Sequence, residues 1–186
     1  MEQALKQLLD KQAITETLWR YCRGMDRMDK EITLSCWHPG GTDDHAPVFK
    51  GTAEGFIEWL WPVHAEMTAT RHFVSNISIE LNGDHAASES YWHVQLRIPR
   101  SDGIYDLIGD GRYLDHFEQI DGVWAIRHRT SIGCMTRVSK VDPAPETFDP
   151  PLIIPNNPES QTAHWARDKS DFSYSLFAEI MAGKNQ

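Results

Sequence analysis

The chain has 186 residues, 40% of them hydrophobic, and a formal net charge of −9 with a pI near 5.4. That length suits one domain with a sizeable core, and the acidic balance without a Lys/Arg run excludes the footprint of a nucleic-acid binder. No charged segment followed by an apolar run opens the chain and no apolar stretch reaches membrane-spanning length, so the expectation is a cytoplasmic protein with no membrane partner.

Residues 2 to 27 carry a helical pattern, with Leu5, Leu8, Leu9, Ile14, Leu18, Cys22 and Met25 at three- and four-residue steps. Trp19, Cys22 and Asp26 fall at i, i+3 and i+7, which places Asp26 on or beside the apolar stripe. A carboxylate facing a core needs partners, because desolvating its charge is costly; the alternative is a helix-end Asp turned to solvent. Asp29 is positioned to cap a short second helix through Leu34 and Trp37, which His38-Pro39-Gly40-Gly41 would terminate. Asp43, Asp44 and His45 then read as a solvated loop; with His38 they have metal-ligand residue types but the spacing of no zinc motif, so no metal is expected. Gly51 and Thr52 open a third helix with Phe56, Ile57, Leu60 and Trp61 inward, bent or stopped near Pro62.

From about residue 70 the period becomes two. Phe73, Ile77, Ile79 and Leu81 share one side of the strand, and His72, Val74 and Asn76 the other. Asn82-Gly83-Asp84 is a hairpin signal into a strand from about Ala86 to Ile98, with Trp92, Val94, Leu96 and Ile98 on one face. Two further strands follow, about Ile104 to Phe117 and Val123 to Val138, joined by Asp121-Gly122. Helices followed by an antiparallel meander predict an α+β fold, a curved sheet wrapped on helices.

Six of the ten prolines fall between Asp142 and Pro158, which predicts an arm or linker. Beyond it, His164-Trp165 and Phe172 to Met181 predict one or two short helices, placed either over a pocket mouth or on a neighbouring subunit. The domain reading is therefore residues 1–140 as the folded domain and 141–186 as an extension. Cys22, Cys36 and Cys134 lack CxxC spacing and read as reduced thiols, with Cys22 a weak nucleophile candidate beside Tyr21. The seven tryptophans suit a large, rigid apolar core or pocket.

The chemistry centres on Tyr21, Asp26 and His72. An Asp bonded to one imidazole nitrogen fixes the tautomer and stabilises the imidazolium, which makes the histidine a general base near neutral pH. A phenol can hold the oxygen on which charge then develops. The trio fits removal of a proton beside a carbonyl and loss of a leaving group from the adjacent carbon. No G-x-S-x-G and no glycine-rich nucleotide loop is present, so the expectation is a cofactor-free enzyme. His93, Asp106 and Arg129 are candidates to protonate the leaving group, and Arg127 and Arg129 share strand parity.

Four segments, LWRYCRGMDRMDKEITLSCWHPGG, KGTAEGFIEWLWP, TRHFVSNISIELNGDHAASESYW and GRYLDHFEQIDGVWAIRHR, resemble the SnoaL-like branch of the nuclear transport factor 2-like superfamily across roughly residues 5 to 137. The resemblance implies a cone-shaped, cystatin-like fold with N-terminal helices packed in a strongly curved mixed or antiparallel sheet. It also implies a homo-oligomer, dimer or trimer, and a small apolar substrate. Members such as scytalone dehydratase, hexachlorocyclohexane dehydrochlorinase and the bile-acid 7-dehydratases use an Asp and His pair for elimination, matched here by Asp26 and His72. The spacing of Tyr21 and Asp26 is most similar to the bile-acid enzymes. That likeness implies that His72 deprotonates C6 of a 3-oxo-Δ4-7-hydroxysteroid while Tyr21 stabilises the dienolate and the hydroxyl leaves as water. Trp19, Trp61, His93, Asp106 and Arg129 are the candidate substrate-binding residues. The alternatives are a ketosteroid-type isomerase, a polyketide cyclase, or a non-catalytic cone that binds a small ligand.

Overall fold

The computed structural model describes residues 1–141 and 165–183. The Pro-rich arm expected at 142–158, and His164, lie outside the described residues. Helix α1 (Glu2–Asp26) lies against the sheet and buries Ile14, Leu18, Tyr21 and Met25. Full burial of each such aliphatic side chain is worth about 1.5–3 kcal/mol. The helix turns this face inward only from Asp10 onward, since Leu5, Leu8 and Leu9 are exposed. Asp10 accepts from Trp124 Nε1 at 3.0 Å and pins the start of the buried half. Helix α2 (Lys30–Leu34) is capped by the Asp29 carboxylate, which accepts from the Ile32 N–H.

The segment read as turn and loop is a strand, β1 (Trp37–His45), followed by β2 (Phe49–Thr52). Local Pro and Gly signals are overridden because β1 finds two partners, β2 antiparallel and the last strand parallel. Helix α3 (Ala53–Ala65) is capped by the Thr52 hydroxyl. It continues through Pro62 rather than stopping there.

Four long antiparallel strands complete the sheet: β3 (Ala69–Asn82), β4 (His85–Arg100), β5 (Gly103–Ile120) and β6 (Val123–Lys140). The order β2-β1-β6-β5-β4-β3 makes a six-stranded mixed sheet, and with the N-terminal helices packed on it the fold is the expected α+β, cystatin-like cone.

Two irregularities decide which side chains face the helices. Asn76 has φ +48°, and the β3–β4 register shifts between Ser75 and Ser78. Thr70, His72 and Val74 therefore turn inward together with Ile77, Ile79 and Leu81, whereas Phe73 is exposed. The sequence period alone had put Phe73 with the isoleucines. On β6 the register shifts beside Arg127, so Arg127 bonds Glu118 while Arg129 is buried. Their shared parity in sequence is broken by this bulge.

Helix α4 (Phe172–Gly183) begins at Asp171, whose carboxylate accepts from the Ser173 N–H at 3.1 Å. Arg23 lies over the rings of Tyr174 and Phe177 at 4.8 and 4.7 Å, and the Tyr174 hydroxyl donates to Asp29 at 2.8 Å. Arg167 donates to the carbonyl of His64 at 2.9 Å and ties down the end of α3. The described C-terminal residues thus pack on helix ends of their own chain, and none of them lines the cavity below. No helix of the described residues is long and apolar enough to cross a membrane.

Candidate active site

A cavity of about 170 Å³ opens between α1, α3 and the concave face of the sheet. Its walls are mostly apolar (Met25, Phe56, Leu60, Trp92, Val94), and the exposed side chains of Val48 and Trp59 mark its rim. The polar groups that reach it are Tyr21, His45, His64, His72, Tyr113 and Ser131.

The last turn of α1 brings Asp26 against the start of β3. Asp26 Oδ1 is 2.6 Å from His72 Nδ1, and Oδ2 accepts from the His72 backbone N–H at 3.0 Å. Both carboxylate oxygens are committed to one residue, so the imidazole is fixed in position and in tautomer. Nδ1 donates to the carboxylate, which leaves Nε2 as the acceptor toward the cavity.

Tyr21 is buried on α1, one turn before Asp26. Burial, reinforced by Tyr113 and Asp43 and opposed by the Arg129 charge, raises its pKa well above the usual phenol value. Tyr113 is raised for the same leading reason. Both phenols are neutral donors at any working pH.

His64, in the last turn of α3, has its ring 5.8 Å from that of His72, and its Nδ1 is buried without a partner. Burial, then the neighbouring His72 and Arg167, lower its pKa to about 3. Burial also pushes the Cys22 thiol up to about 12, which leaves it protonated and a poor nucleophile. Asp44 pairs with Lys50, and Asp43 with His45, rather than converging on a shared point.

Of the other sequence candidates, Arg129 stands closest. It is fully buried, holds Asp115 with two bonds of 2.7 and 2.9 Å, and packs on the rings of Tyr113 and Tyr21 at 4.0 and 4.5 Å. It supports the two phenols from behind the cavity wall. Trp19 is 51% exposed on the outer side of α1. Trp61 faces away from the cavity, 5.8 Å from Lys30 Nζ, while its neighbours Trp59 and Leu60 line it. His93 pairs with Asp110 at 2.6 Å on the sheet face opposite Trp92 and Val94. Asp106 is held by Arg97 at 2.8 Å in a separate surface depression. Sequence reasoning missed His64, Trp59 and Tyr113, and it read His45 as a loop residue. The alternation of Trp92 and Val94 was the usable signal for one wall.

Fold and site together make a helix-lined α+β cone that holds an Asp–His pair at an apolar cavity. Residues 6–130 match the SnoaL-like domain, and the chain belongs to that family within the nuclear transport factor 2-like superfamily. No curated protein matches the chain in sequence. Among solved structures it is similar to a provisionally assigned scytalone dehydratase from Novosphingobium aromaticivorans, with 23% identity, TM-score 0.65, and coverage of 74% of this chain and 93% of that one. A hexachlorocyclohexane dehydrochlorinase, LinA type 2, gives 17% identity, TM-score 0.68, and coverage of 78% and 99%. A protein of unknown function with a cystatin-like fold from Nostoc punctiforme gives 24% identity, TM-score 0.56, and coverage of 68% and 92%. At these identities the likeness defines the fold alone.

Proposed function

We propose that the chain is a cofactor-independent lyase that dehydrates a hydroxylated fused-ring ketone. The observation that carries this reading is the 2.6 Å bond from His72 Nδ1 to Asp26 at the wall of an apolar cavity. His72 Nε2 takes the proton beside the substrate carbonyl, and Asp26 stabilises the imidazolium so formed. The electrons of the broken C–H bond pass to the carbonyl oxygen, which the Tyr21 hydroxyl holds. Collapse of this enolate forms the C=C bond and breaks the C–O bond of the adjacent carbon, and the departing hydroxyl takes up one proton to leave as water. Asp26 itself is a poor base, because both of its oxygens are engaged by His72. That favours elimination by histidine over the carboxylate-based double-bond shift of an isomerase. Two proteins of the same fold, a provisional scytalone dehydratase and a hexachlorocyclohexane dehydrochlorinase, carry names of eliminating enzymes, in keeping with this reading.

Size bears on the substrate. The cavity, about 170 Å³, is smaller than the ~300–1,000 Å³ typical of pockets for drug-sized ligands. It suits one or two fused rings. A 3-oxo-Δ4-7-hydroxysteroid of the bile-acid type is accommodated only with its remaining rings projecting past Val48 and Trp59.

The test is to incubate the protein with 3-hydroxy-1-tetralone, following 1-naphthol fluorescence, and with a 3-oxo-Δ4-7-hydroxysteroid, following the absorbance of the extended dienone. Conversion is expected to fall by at least ~10²-fold in His72→Gln. Asp26→Asn should lose nearly as much as the double variant, since the pair acts as a unit. Inert wild-type protein, or a folded His72→Gln variant of undiminished rate, would overturn the proposal.

A further inference from the structure

A second histidine–carboxylate pair reaches the same cavity from its other side. His45 ends β1, and its Nδ1 is bonded to the Asp43 carboxylate two residues earlier on the same face of the strand. Its ring is stacked on Phe56 of α3 at 4.4 Å and meets Tyr113 of β5 edge-on at 6.1 Å. With Nδ1 held by Asp43, the other nitrogen, Nε2, is the one free for the cavity that His45 and His72 both line. From the structure, we infer that His45, positioned by Asp43, is the general acid that protonates the departing hydroxyl, which makes the substrate class one with a poor, oxygen leaving group. This inference rests on the lyase reading above and supplies the half of the reaction that His72 leaves undone.

The surroundings of Asp43 tie it to His45. Asp43 is fully buried, and its Oδ2 has no hydrogen-bond partner. The cation in register across the strand pair, Arg129, gives both of its carboxylate bonds to Asp115. Two buried carboxylates therefore share one buried guanidinium, and the nearby phenols of Tyr21 and Tyr113 are neutral. The bond from His45 Nδ1 is therefore the one hydrogen bond that the buried Asp43 carboxylate has among the described residues, and a buried anion without it is costly. The groups facing His45 are Asp43 on its own strand, Phe56, Tyr113 with Arg129 behind it, and His72 across the cavity. The first of these is the one bonded to its Nδ1.

The proton balance closes. His72 Nε2 gains the proton of the broken C–H bond. His45 Nε2 gives one to the oxygen of the breaking C–O bond, and water leaves. One proton then passes from His72 to His45 through solvent at the mouth, and no redox partner is needed.

A base alone suffices for a leaving group that departs as a stable anion; an acid is needed for a hydroxyl. The experiment therefore compares 3-hydroxy-1-tetralone with 3-chloro-1-tetralone, each corrected for its uncatalysed rate. His45→Gln should lose about 10²-fold or more with the hydroxyl substrate and stay within a few-fold of wild type with the chloride. Asp43→Asn should show the same selectivity, to a smaller extent, because it acts through His45. His72→Gln should lose both substrates alike. His45→Phe keeps the stack on Phe56 and repeats the test should the glutamine variant unfold. Equal losses by His45→Gln on both substrates, or none on either, would overturn the acid role and leave the base reading intact. Wild-type turnover of the chloride alone would do the same. Wild-type inertness to both would remove the lyase reading and the acid with it.

Discussion

His64 offers a test of the cavity's electrostatics that needs no substrate. The side chain is 4% exposed, and its pKa is lowered from 6.5 to about 3 by burial, with His72 and Arg167 adding to the effect. Between those two values the unfolded chain binds a proton that the folded chain refuses, so stability must fall as the pH falls. The contribution is fully present above 6.5 and is lost progressively down to about 3. At about 1.36 kcal/mol per pH unit, moving from pH 8 to pH 5 spans roughly 1.5 units below the unfolded value and costs about 2 kcal/mol. His64→Gln keeps a polar side chain of similar reach but cannot titrate. Urea denaturation of both proteins at pH 8 and pH 5 gives four stabilities, and any loss of packing in the variant cancels within its own pair. The loss on acidification should be smaller in the variant by about 2 kcal/mol. Equal losses in the two proteins would refute the reasoning, because His64 would then titrate alike in the folded and unfolded chains. A neutral His64 also suits the proposed role of His72, which would then take up a proton next to an uncharged ring rather than a second cation.

Two further outcomes follow from the cavity's back wall. A Cβ on Gly111 would lie 2.2 Å from the Ile132 carbonyl oxygen and 2.3 Å from Trp92 Cζ2. Gly111→Ala should cost about 1–3 kcal/mol in thermal or urea unfolding and change the tryptophan emission as Trp92 is displaced. Arg129→Met strands the buried Asp115 and should cost about 3–5 kcal/mol, whereas adding Asp115→Leu should recover much of that loss, as a double-mutant cycle would report.

The sequence read well where pattern and chemistry coincide. The α1 stripe put Asp26 on or beside the buried face, with a solvent-facing helix end as the alternative, and the period-two run put His72 at the head of a strand. Their resemblance to a known family brought the two together. It read poorly where a non-local partner or a single extra residue decides the outcome. His38-Pro39-Gly40-Gly41 reads as a turn, but β6 supplies a parallel neighbour that makes it part of a strand, and Asp43 and His45 then point inward. Asn76 carries no obvious bulge signal, yet its positive φ reverses the sides of His72 and Phe73 relative to Ile77. Trp61 and Trp59 are both plausible inward residues of an apolar helix. The packing of α3 on β2, where Trp59 stacks on Phe49, selects Trp59 for the cavity, and neither spacing nor composition encodes that packing.

Arg129 ties these features to the chemistry. A guanidinium 4.5 Å from the Tyr21 ring stabilises negative charge on that phenol, and in water it would favour ionisation. Here burial outweighs it and the proton stays on Tyr21. The result is a phenol that remains a donor while its oxygen sits in a positive field, so that its hydrogen bond strengthens as charge gathers on a substrate oxygen. Asp115 accepts from Nε and Nη2 of Arg129 and so fixes the plane of that cation against the phenol rings. In the proposed reaction a site built this way separates three tasks among residues that do not interchange: His72 would remove the proton, Tyr21 would hold the enolate oxygen, and the buried cation would set the strength of that hold from behind the cavity wall.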